Sequence, residues 1–432
     1  MSVSRKREKS EVPTATDFLI ASRQCELRHL EYFLQMGKLV QGIGDLVHGL
    51  QRERGASNVF LGSDGTRFAV ERDAMKRAVD EHKVEFTQAL ADIRDDLTSH
   101  PVSSPLLNHI ASALHGMAGL EALREAVANQ RITAVDATAA FNDLIHQLIT
   151  AVFEAADTVA DPSIAGLLVA MVHLMNGKEY CGQERAAGSA GFSSGHFDTA
   201  LSRRMMHLVE AQERCFEVFL AFANDDSVAG WQKLRAHPRE TQIEQLRQLA
   251  SPVGRYKQLD PSLADQWFAL LTERMDELKQ IEDLVEQAFH ARCVERYAEA
   301  RHALAHQESL IDSLAQPRSG SPRLVLCDSG EVSYPNTGWE VDDIGQQSGR
   351  SVFDLLQEQT HRLQQMSDEL SSAKEALEDR KTQEKAVLIL MKHRGIDNDE
   401  AHRLLRKLAM DQGKRLPDVA RALVALSGVL EG

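Results

Sequence analysis

Two arginines in this sequence stand where an amphipathic helix would normally place an apolar side chain. In QRERGASNVFLGS, residues 51–63, apolar residues recur at three- and four-residue steps, and Arg54 continues the stripe that includes Leu50. Farther along, GQERAAGSAGF at 182–192 places Arg185 in the matching position after a second Glu-Arg pair. A guanidinium keeps its proton even when it is buried, so each arginine must meet an anionic group.

The small residues beside these arginines bear on whether the anionic group is a bound ligand or a carboxylate of the protein. Glycine and alanine, such as Gly55 and Ala186, allow helices to approach closely and leave room for a small ligand. One interpretation is therefore a small anion held between two helices, and the alternative is a structural salt bridge to a nearby carboxylate. Arg52 lies two residues before Arg54, on roughly the opposite face of the same helix.

Other reactive chemistry does not appear in the sequence. The histidines are dispersed, and the chain has no HExxH, P-loop, GxGxxG or nucleophile-elbow motif. We therefore expect no enzyme, no catalytic residues, no metal ligands and no cofactor. The five cysteines form no CxxC pair, which favours reduced thiols in a cytoplasmic protein over a disulfide frame. The polar start and the short longest apolar run predict neither a signal peptide nor a membrane span.

The elements that position the arginines are predicted to be helices. From about residue 16 to 316, helix formers dominate, apolar residues recur at three- and four-residue steps, and Pro, Gly and Asp breakers separate the segments. No alternating strand pattern appears, so the sequence predicts an all-α fold with a large helical-bundle domain. The stretch 317–350 is rich in Pro, Gly, Ser and Asp and is interpreted as a linker.

A heptad repeat follows this linker. Leu356, Leu363, Leu370 and Leu377 recur at every seventh position, with further seam positions at steps of four and three. This pattern predicts a coiled coil over 351–379 that joins two copies of the chain. The alternative is a single amphipathic helix that packs on its own domain.

The charge of the chain is distributed unevenly. The formal net charge is −15, so most of the surface is expected to repel nucleic acids and acidic membranes. Residues 380–421 are the exception, because they contain eleven Lys or Arg and six Asp or Glu, a net charge of +5. A basic module on an acidic protein indicates an anionic partner for that module.

The quoted segments also resemble known families. QRERGASNVFLGS and GQERAAGSAGF resemble the two signature segments of the nitrate- and nitrite-sensing (NIT) domain. Residues 379–424, DRKTQEKAVLILMKHRGIDNDEAHRLLRKLAMDQGKRLPDVARALV, resemble the ANTAR domain, the RNA-binding effector of transcription antiterminators. Their order, with a linker and a coiled coil between them, resembles the NasR-type nitrate-responsive antiterminators.

The resemblance implies paired four-helix bundles in the sensor domain and an anion site between helices near the arginines. It also implies a small three-helix C-terminal domain that extends a dimeric coiled coil. The implied ligand is nitrate or nitrite, and a planar guanidinium suits the planar, delocalised nitrate ion. The segment IEQLRQLA adds Arg247, for which a pair with Glu244 one turn earlier is an equal alternative. The implied anion ligands are Arg54, Arg185, Arg52 and Arg247.

The implied RNA target is a hairpin in a leader transcript, and DNA is not expected. Arg403, Arg406 and Lys407 share one helix face, but the domain lacks aromatic residues for base stacking, so phosphate contacts and hydrogen bonds must supply most of the affinity. The alternative is that such residues only solvate helices or pair with Asp399 and Glu400, and that the domain binds a protein. The predicted RNA-binding set is Arg380, Lys381, Lys385, Lys392, Arg394, Arg403, Arg406, Lys407, Lys414 and Arg415.

These observations predict a cytoplasmic, non-enzymatic regulator. Nitrate or nitrite binds the N-terminal domain, and the C-terminal domain in response binds nascent RNA and prevents termination ahead of nitrate-assimilation genes. The predicted segments are a disordered N-terminus at 1–15, a NIT-like domain at 16–316, a linker at 317–350, a coiled coil at 351–379 and an ANTAR-like domain at 380–432.

Overall fold

The structure is a computed structural model in which most of the chain is described. The described residues are 15–96, 104–157, 159, 161–250, 259–315, 378–396 and 398–430. Every regular element among them is an α-helix, which confirms the predicted all-α fold. The predicted N-terminal tail and linker, and nearly all of the predicted coiled coil, lie outside these residues.

The helices are numbered α1 to α13 along the chain. The first ten are α1 Ala15–Gly62, α2 Ala69–Asp96, α3 Ser104–Ala118, α4 Leu120–Ala128, α5 Ala134–Asp157, α6 Pro162–Ser193, α7 Thr199–Phe222, α8 Asp225–Arg235, α9 Pro238–Ala250 and α10 Leu263–Ala315. The last three are α11, the helical residues 378–394, α12 Asn398–Gln412 and α13 Leu416–Leu430.

Of α1 and α6, the two helices that carry the arginine segments, α6 is the more deeply buried. It begins where the Asp161 carboxylate accepts hydrogen bonds from the backbone N–H groups of Ser163 and Ile164 at 3.0 and 3.3 Å, and Pro162 occupies its first turn. Most of its residues are buried on every side, so its apolar first half belongs to the core.

Buried ion pairs connect α6 and α1 to α10. Lys178 of α6 lies 2.6 Å from Glu282 of α10, and both side chains are fully buried. Lys279 of α10 lies 2.7 Å from Asp45 of α1. Removing one member of such a pair leaves an uncompensated buried charge, so these contacts fix which helix faces meet.

The chain divides into two compact units. The smaller consists of Met1–Leu34 and Cys293–Asp368, and within its described part the Tyr297 hydroxyl donates to Glu31 at 2.9 Å. The larger consists of Gln35–Arg292 and Glu369–Gly432, so it contains both arginine segments and the C-terminal helices.

Helices α11 to α13 form a small domain with its own core, as the sequence predicts. Alanines and leucines such as Ala386, Ala401 and Leu405 pack together from α11 and α12, and Val419 joins them from α13. Gly395 ends α11 with φ +60°, a left-handed conformation that glycine adopts without steric cost. None of the described helices, here or in the sensor, carries an apolar stretch long enough to cross a bilayer.

Candidate functional site

Arg54 lies on the buried face of α1, as its place on the apolar stripe predicts. It is 1% exposed. Its Nη1 donates to Glu179 Oε1 and to Asn142 Oδ1, both at 2.5 Å. Its Nη2 is also buried but has no hydrogen-bond partner among the described residues. The predicted salt bridge therefore exists, yet it satisfies only part of the guanidinium.

Arg185 lies on α6 and is 2% exposed. Its Nη1 donates to the Thr272 hydroxyl at 2.8 Å, its Nη2 donates to the Gln51 carbonyl at 2.9 Å, and its guanidinium lies 4.8 Å from the centre of the Phe268 ring. These partners are uncharged. Burial and the nearby charge of Arg54 lower the pKa of Arg185 to about 10, the direction expected where positive charge is not fully neutralised.

A small cavity lies between α1, α6 and α10. Arg54, Asn58, Arg185 and Ser189 provide its polar lining, and Phe268 provides part of its apolar lining. The Ser189 hydroxyl is buried and has no hydrogen-bond partner in the described structure. Buried polar atoms are nearly always hydrogen-bonded, so Ser189 Oγ and Arg54 Nη2 are the two groups at this cavity that are suited to bind an acceptor.

The two arginine segments fit each other reciprocally. Arg54 of α1 passes over Gly182 of α6, where a Cβ atom would lie 2.3 Å from Nη2. Arg185 of α6 passes over Gly55 of α1, where a Cβ atom would lie 2.4 Å from Nη2. Each segment thus supplies one arginine and the gap that receives the other, which explains why the Glu-Arg and small-residue pattern occurs twice.

This arrangement suits a small oxyanion. Two guanidinium groups and a hydroxyl present hydrogen-bond donors in a space that excludes most water, and charge-assisted hydrogen bonds to an anion are strong there. A planar anion with three equivalent oxygens matches the planar donor geometry of the guanidinium groups.

The other two predicted anion ligands do not line the cavity. Arg52 is exposed, on the opposite face of α1 from Arg54. Arg247 of α9 makes a two-pronged contact with Glu184 of α6, with Nε and Nη2 at 2.7 and 2.8 Å from the carboxylate oxygens. Its contact with Glu244, the predicted alternative, is longer at 3.6 Å. Glu184 is therefore the main partner, and sequence reasoning did not identify it.

Several cavity residues carry little or no signal in the sequence. Ser189 follows Arg185 by four residues, and this spacing places both on one face of α6, so it was open to prediction. Thr272 and Phe268 come from α10, more than eighty residues away, and only the packing of α10 against α6 brings them to Arg185.

One predicted RNA-binding residue contacts the sensor helix α6 directly. Arg380 of α11 donates through Nη2 to the Tyr180 hydroxyl at 3.0 Å and to Asn176 Oδ1 at 3.3 Å. Tyr180 directly follows Glu179, the carboxylate that accepts from Arg54. The anion cavity and the C-terminal domain therefore contact neighbouring positions of one helix.

Two further basic residues contact other sensor helices. Lys381 lies 3.6 Å from Glu154 of α5, and Arg406 of α12 forms an ion pair with Glu210 of α7. The structure thus divides the predicted RNA-binding set into three residues that face the sensor helices and seven that are exposed. The exposed members are Lys385, Lys392, Arg394, Arg403, Lys407, Lys414 and Arg415.

One group of side chains brings together atoms that resemble metal ligands. Ligand atoms of Asp45, His82 and Glu85 lie within 4.8 Å of one another. However, Asp45 already lies 2.7 Å from the Lys279 ammonium, and His82 lies 3.5 Å from Glu85. These contacts describe a partly exposed ion-pair cluster, and we assign no metal to it.

Comparison with known proteins gives matches to both parts of the chain. A family model described as nitrate and nitrite sensing, NIT, matches residues 45–290, and the ANTAR domain model matches residues 371–424. The Nitrate regulatory protein of Klebsiella oxytoca is 34% identical over 418 residues, which cover 96% of each chain. The solved structure of the NasR transcription antiterminator is similar with a TM-score of 0.58 and 32% identity, over 96% of this chain and 100% of that one.

Proposed function

Because the chain belongs to the NIT family of nitrate and nitrite sensors and carries an ANTAR domain, we propose that it binds nitrate or nitrite and in response binds leader RNA. The protein is a nitrate-sensing transcription antitermination regulator and not an enzyme. The bound RNA is a hairpin ahead of nitrate-assimilation genes, and its binding prevents termination. The protein acts in the cytoplasm as a homodimer joined through the coiled-coil segment 351–379.

The observation that supports the anion site best is the reciprocal packing of the two arginine segments. It buries two guanidinium groups beside a cavity and leaves Arg54 Nη2 and Ser189 Oγ without partners. An anion between Arg54 and Arg185 satisfies both atoms and neutralises the charge that lowers the pKa of Arg185. Arg247 supports the site indirectly, because its contact with Glu184 braces α6 next to Arg185.

RNA binding belongs to the basic surface of α11 and α12 and the turn after α12. Seven of the predicted residues are exposed in the described structure, where solvent and phosphates reach them. Two of these also have carboxylate partners: Arg403 lies 3.4 Å from Glu400, as the alternative interpretation predicted, and Arg415 lies 3.3 Å from Asp418. Arg380, Lys381 and Arg406 contact the sensor helices instead, so they reach RNA only if the C-terminal domain leaves that position. We therefore propose that the described arrangement is the state that does not bind RNA.

Helix α6 is the proposed connection between the two events. It carries Arg185 at the cavity and Tyr180 at the contact with Arg380. An anion that draws Arg54 and Arg185 together displaces this helix relative to α11. The anion then shifts the equilibrium toward the released state. The size of this shift equals the difference between the binding free energies of the anion for the two states.

A filter-binding assay tests the function directly. Full-length protein is titrated into leader RNA with and without nitrate, at two salt concentrations. We expect nitrate to increase the RNA affinity, and we expect higher salt to weaken binding because phosphate contacts release counterions. Equal affinity with and without nitrate contradicts the regulated function. Absence of RNA binding in both conditions favours a protein partner for the C-terminal domain.

A further inference from the structure

One acidic side chain shares the anion site with the two arginines. The Glu179 carboxylate is 7% exposed and accepts hydrogen bonds on both oxygens. Its Oε1 accepts from Arg54 at 2.5 Å and from Gln183 at 2.9 Å, and its Oε2 accepts from Gln51 at 2.9 Å. These contacts fix the carboxylate in place next to the Arg54 guanidinium.

The buried charge at the site is therefore smaller than two arginines alone would give. Arg54 and Arg185 contribute two positive charges and Glu179 contributes one negative charge, which leaves +1. Asp276 also acts on Arg185, but its side chain is 40% exposed and lies 3.4 Å from His48. Water screens the exposed part of this carboxylate, but its Oδ1 is buried, so Asp276 lowers the net positive charge further and the site carries at most +1.

Hydrogen-bond donors alone do not explain how this site rejects other oxyanions. Guanidinium groups and hydroxyls bind sulfate and phosphate as readily as they bind nitrate, because all of these present several acceptor oxygens. A monovalent anion brings a site of charge +1 to neutrality, whereas a divalent anion leaves an excess negative charge away from water. Excess buried charge is costly, so the two classes of anion differ strongly in binding free energy.

We propose that Glu179 makes this site selective for monovalent over divalent oxyanions by holding its buried charge at no more than +1. This inference rests on the proposed anion site between Arg54 and Arg185. Glu179 also accepts a hydrogen bond from Nη1 of Arg54, so the ligand is left with the donors on the Nη2 side of that guanidinium. Glu179 thus limits both the charge and the number of donors that an incoming anion finds.

The test compares nitrate with sulfate in variants of the full-length protein. Glu179→Gln removes the charge and keeps the shape of the side chain and an oxygen that accepts from Arg54. The new amide nitrogen requires an acceptor, and Gln51 Oε1 is buried without a partner and becomes available when the Gln51 amide rotates. Glu179→Asp keeps the charge. Glu273→Gln makes the same change on α10, at an exposed carboxylate that lies 3.8 Å from Arg239 and does not line the cavity.

Isothermal titration at constant ionic strength measures both affinities for each protein. We expect wild-type protein to prefer nitrate over sulfate by at least about tenfold, and we expect Glu179→Gln to reduce this preference by at least about tenfold through tighter sulfate binding. Glu179→Asp and Glu273→Gln should keep the wild-type preference. Circular dichroism confirms that each variant is folded.

Three results would overturn the inference. A folded Glu179→Gln protein that binds nitrate with an unchanged preference excludes charge selection by this residue. An equal loss of preference in Glu273→Gln shows that the effect is not local to the cavity. Wild-type protein that binds sulfate as tightly as nitrate excludes the inference without any variant. If wild-type protein binds neither anion, the proposed site itself is wrong, which is a separate outcome.

Discussion

In the proposed site, Arg54 is the residue on which we expect anion binding to depend most directly. One part of its guanidinium is held by Glu179 and Asn142, and Nη2 is buried without a partner. Leaving a buried donor unsatisfied costs about 1–3 kcal/mol, so a ligand that accepts from Nη2 recovers part of that cost. Arg185 adds a second, unneutralised cation to the same cavity. At the scale of single residues, the proposed site consists of guanidinium and hydroxyl donors that one bound anion would satisfy.

Replacing an arginine by lysine tests this assignment. Arg54→Lys keeps the charge and removes the planar set of donors, so we expect nitrate affinity to fall by about tenfold or more, roughly 1.4 kcal/mol. Isothermal titration measures the change. Arg52→Lys is the matched control, because Arg52 is exposed on the opposite face of α1, and we expect its affinity to equal that of wild type. Unchanged nitrate affinity in a folded Arg54→Lys protein would contradict the assignment.

Ser189→Ala separates a ligand contact from a structural contact. The Ser189 hydroxyl has no protein partner among the described residues, so its removal should leave the thermal midpoint of the ligand-free protein unchanged or slightly raised. Loss of one hydrogen bond to nitrate should weaken binding by about fivefold, roughly 1 kcal/mol. Differential scanning calorimetry then shows a smaller upward shift of the midpoint when nitrate is added. A lower midpoint without nitrate would instead indicate a structural role.

Helix α6 is the proposed connection between anion binding and RNA binding at the scale of secondary structure. Its buried side chains include Arg185 and Glu179. Tyr180, the residue directly after Glu179, accepts a hydrogen bond from Arg380 of the C-terminal domain. Its pairing with α10 through Lys178 is fully buried, so small rearrangements at one position of α6 are not absorbed by loose packing. The element is therefore suited to report the state of the cavity to α11.

Charge reversal on α7 tests whether the docked C-terminal domain withholds RNA-binding residues. Glu210→Lys replaces the partner of Arg406 with a like charge, so we expect RNA affinity without nitrate to rise toward the value with nitrate. Because linkage is reciprocal, nitrate should also bind this variant somewhat more tightly. Filter binding and isothermal titration measure the two effects.

The matched control for this experiment is Glu213→Lys. Glu213 lies on the same helix and pairs with Arg235 of the sensor domain, so its reversal changes the charge of α7 without touching Arg406. We expect this variant to keep the nitrate dependence of the wild-type protein. Equal RNA affinity of the Glu210→Lys variant and wild-type protein without nitrate would show that docking does not withhold the RNA surface.

The whole molecule combines an acidic sensor with a basic effector. The chain has a net charge of −15, whereas residues 380–421 carry +5, and acidic residues of the sensor such as Glu210 and Glu154 meet basic residues of the effector. If these basic residues bind RNA as proposed, RNA and the sensor compete for the same cations. Dimer formation through 351–379 would place two effector domains on one transcript and raise the effective concentration of the second.

The assembly is tested by changing the predicted coiled-coil seam. Leu363→Glu combined with Leu370→Glu places charges at two seam positions, so we expect the full-length protein to sediment as a monomer and to bind leader RNA more weakly. Gln365→Glu combined with Ser372→Glu introduces the same charges off the seam and should leave the dimer intact. A double seam variant that remains dimeric would contradict the coiled-coil interface.

The sequence by itself determined the fold class and the nature of the key residues. Helical periodicity placed Arg54 and Arg185 on buried stripes, and the structure confirms both burials. The basic C-terminal region and its turn at Gly395 predicted a compact helical module, which is present as α11 to α13. These features are local, because a step of three or four residues fixes a helix face without knowledge of any partner.

Only the tertiary structure decided which groups meet these residues. The reciprocal contact of Arg54 with Gly182 and of Arg185 with Gly55 joins positions more than one hundred residues apart. The pairing of Arg247 with Glu184, and the docking of the C-terminal arginines on sensor helices, likewise have no counterpart in local spacing. Periodicity shows which face of a helix is buried, but the identity of the opposing helix depends on how all the helices pack together.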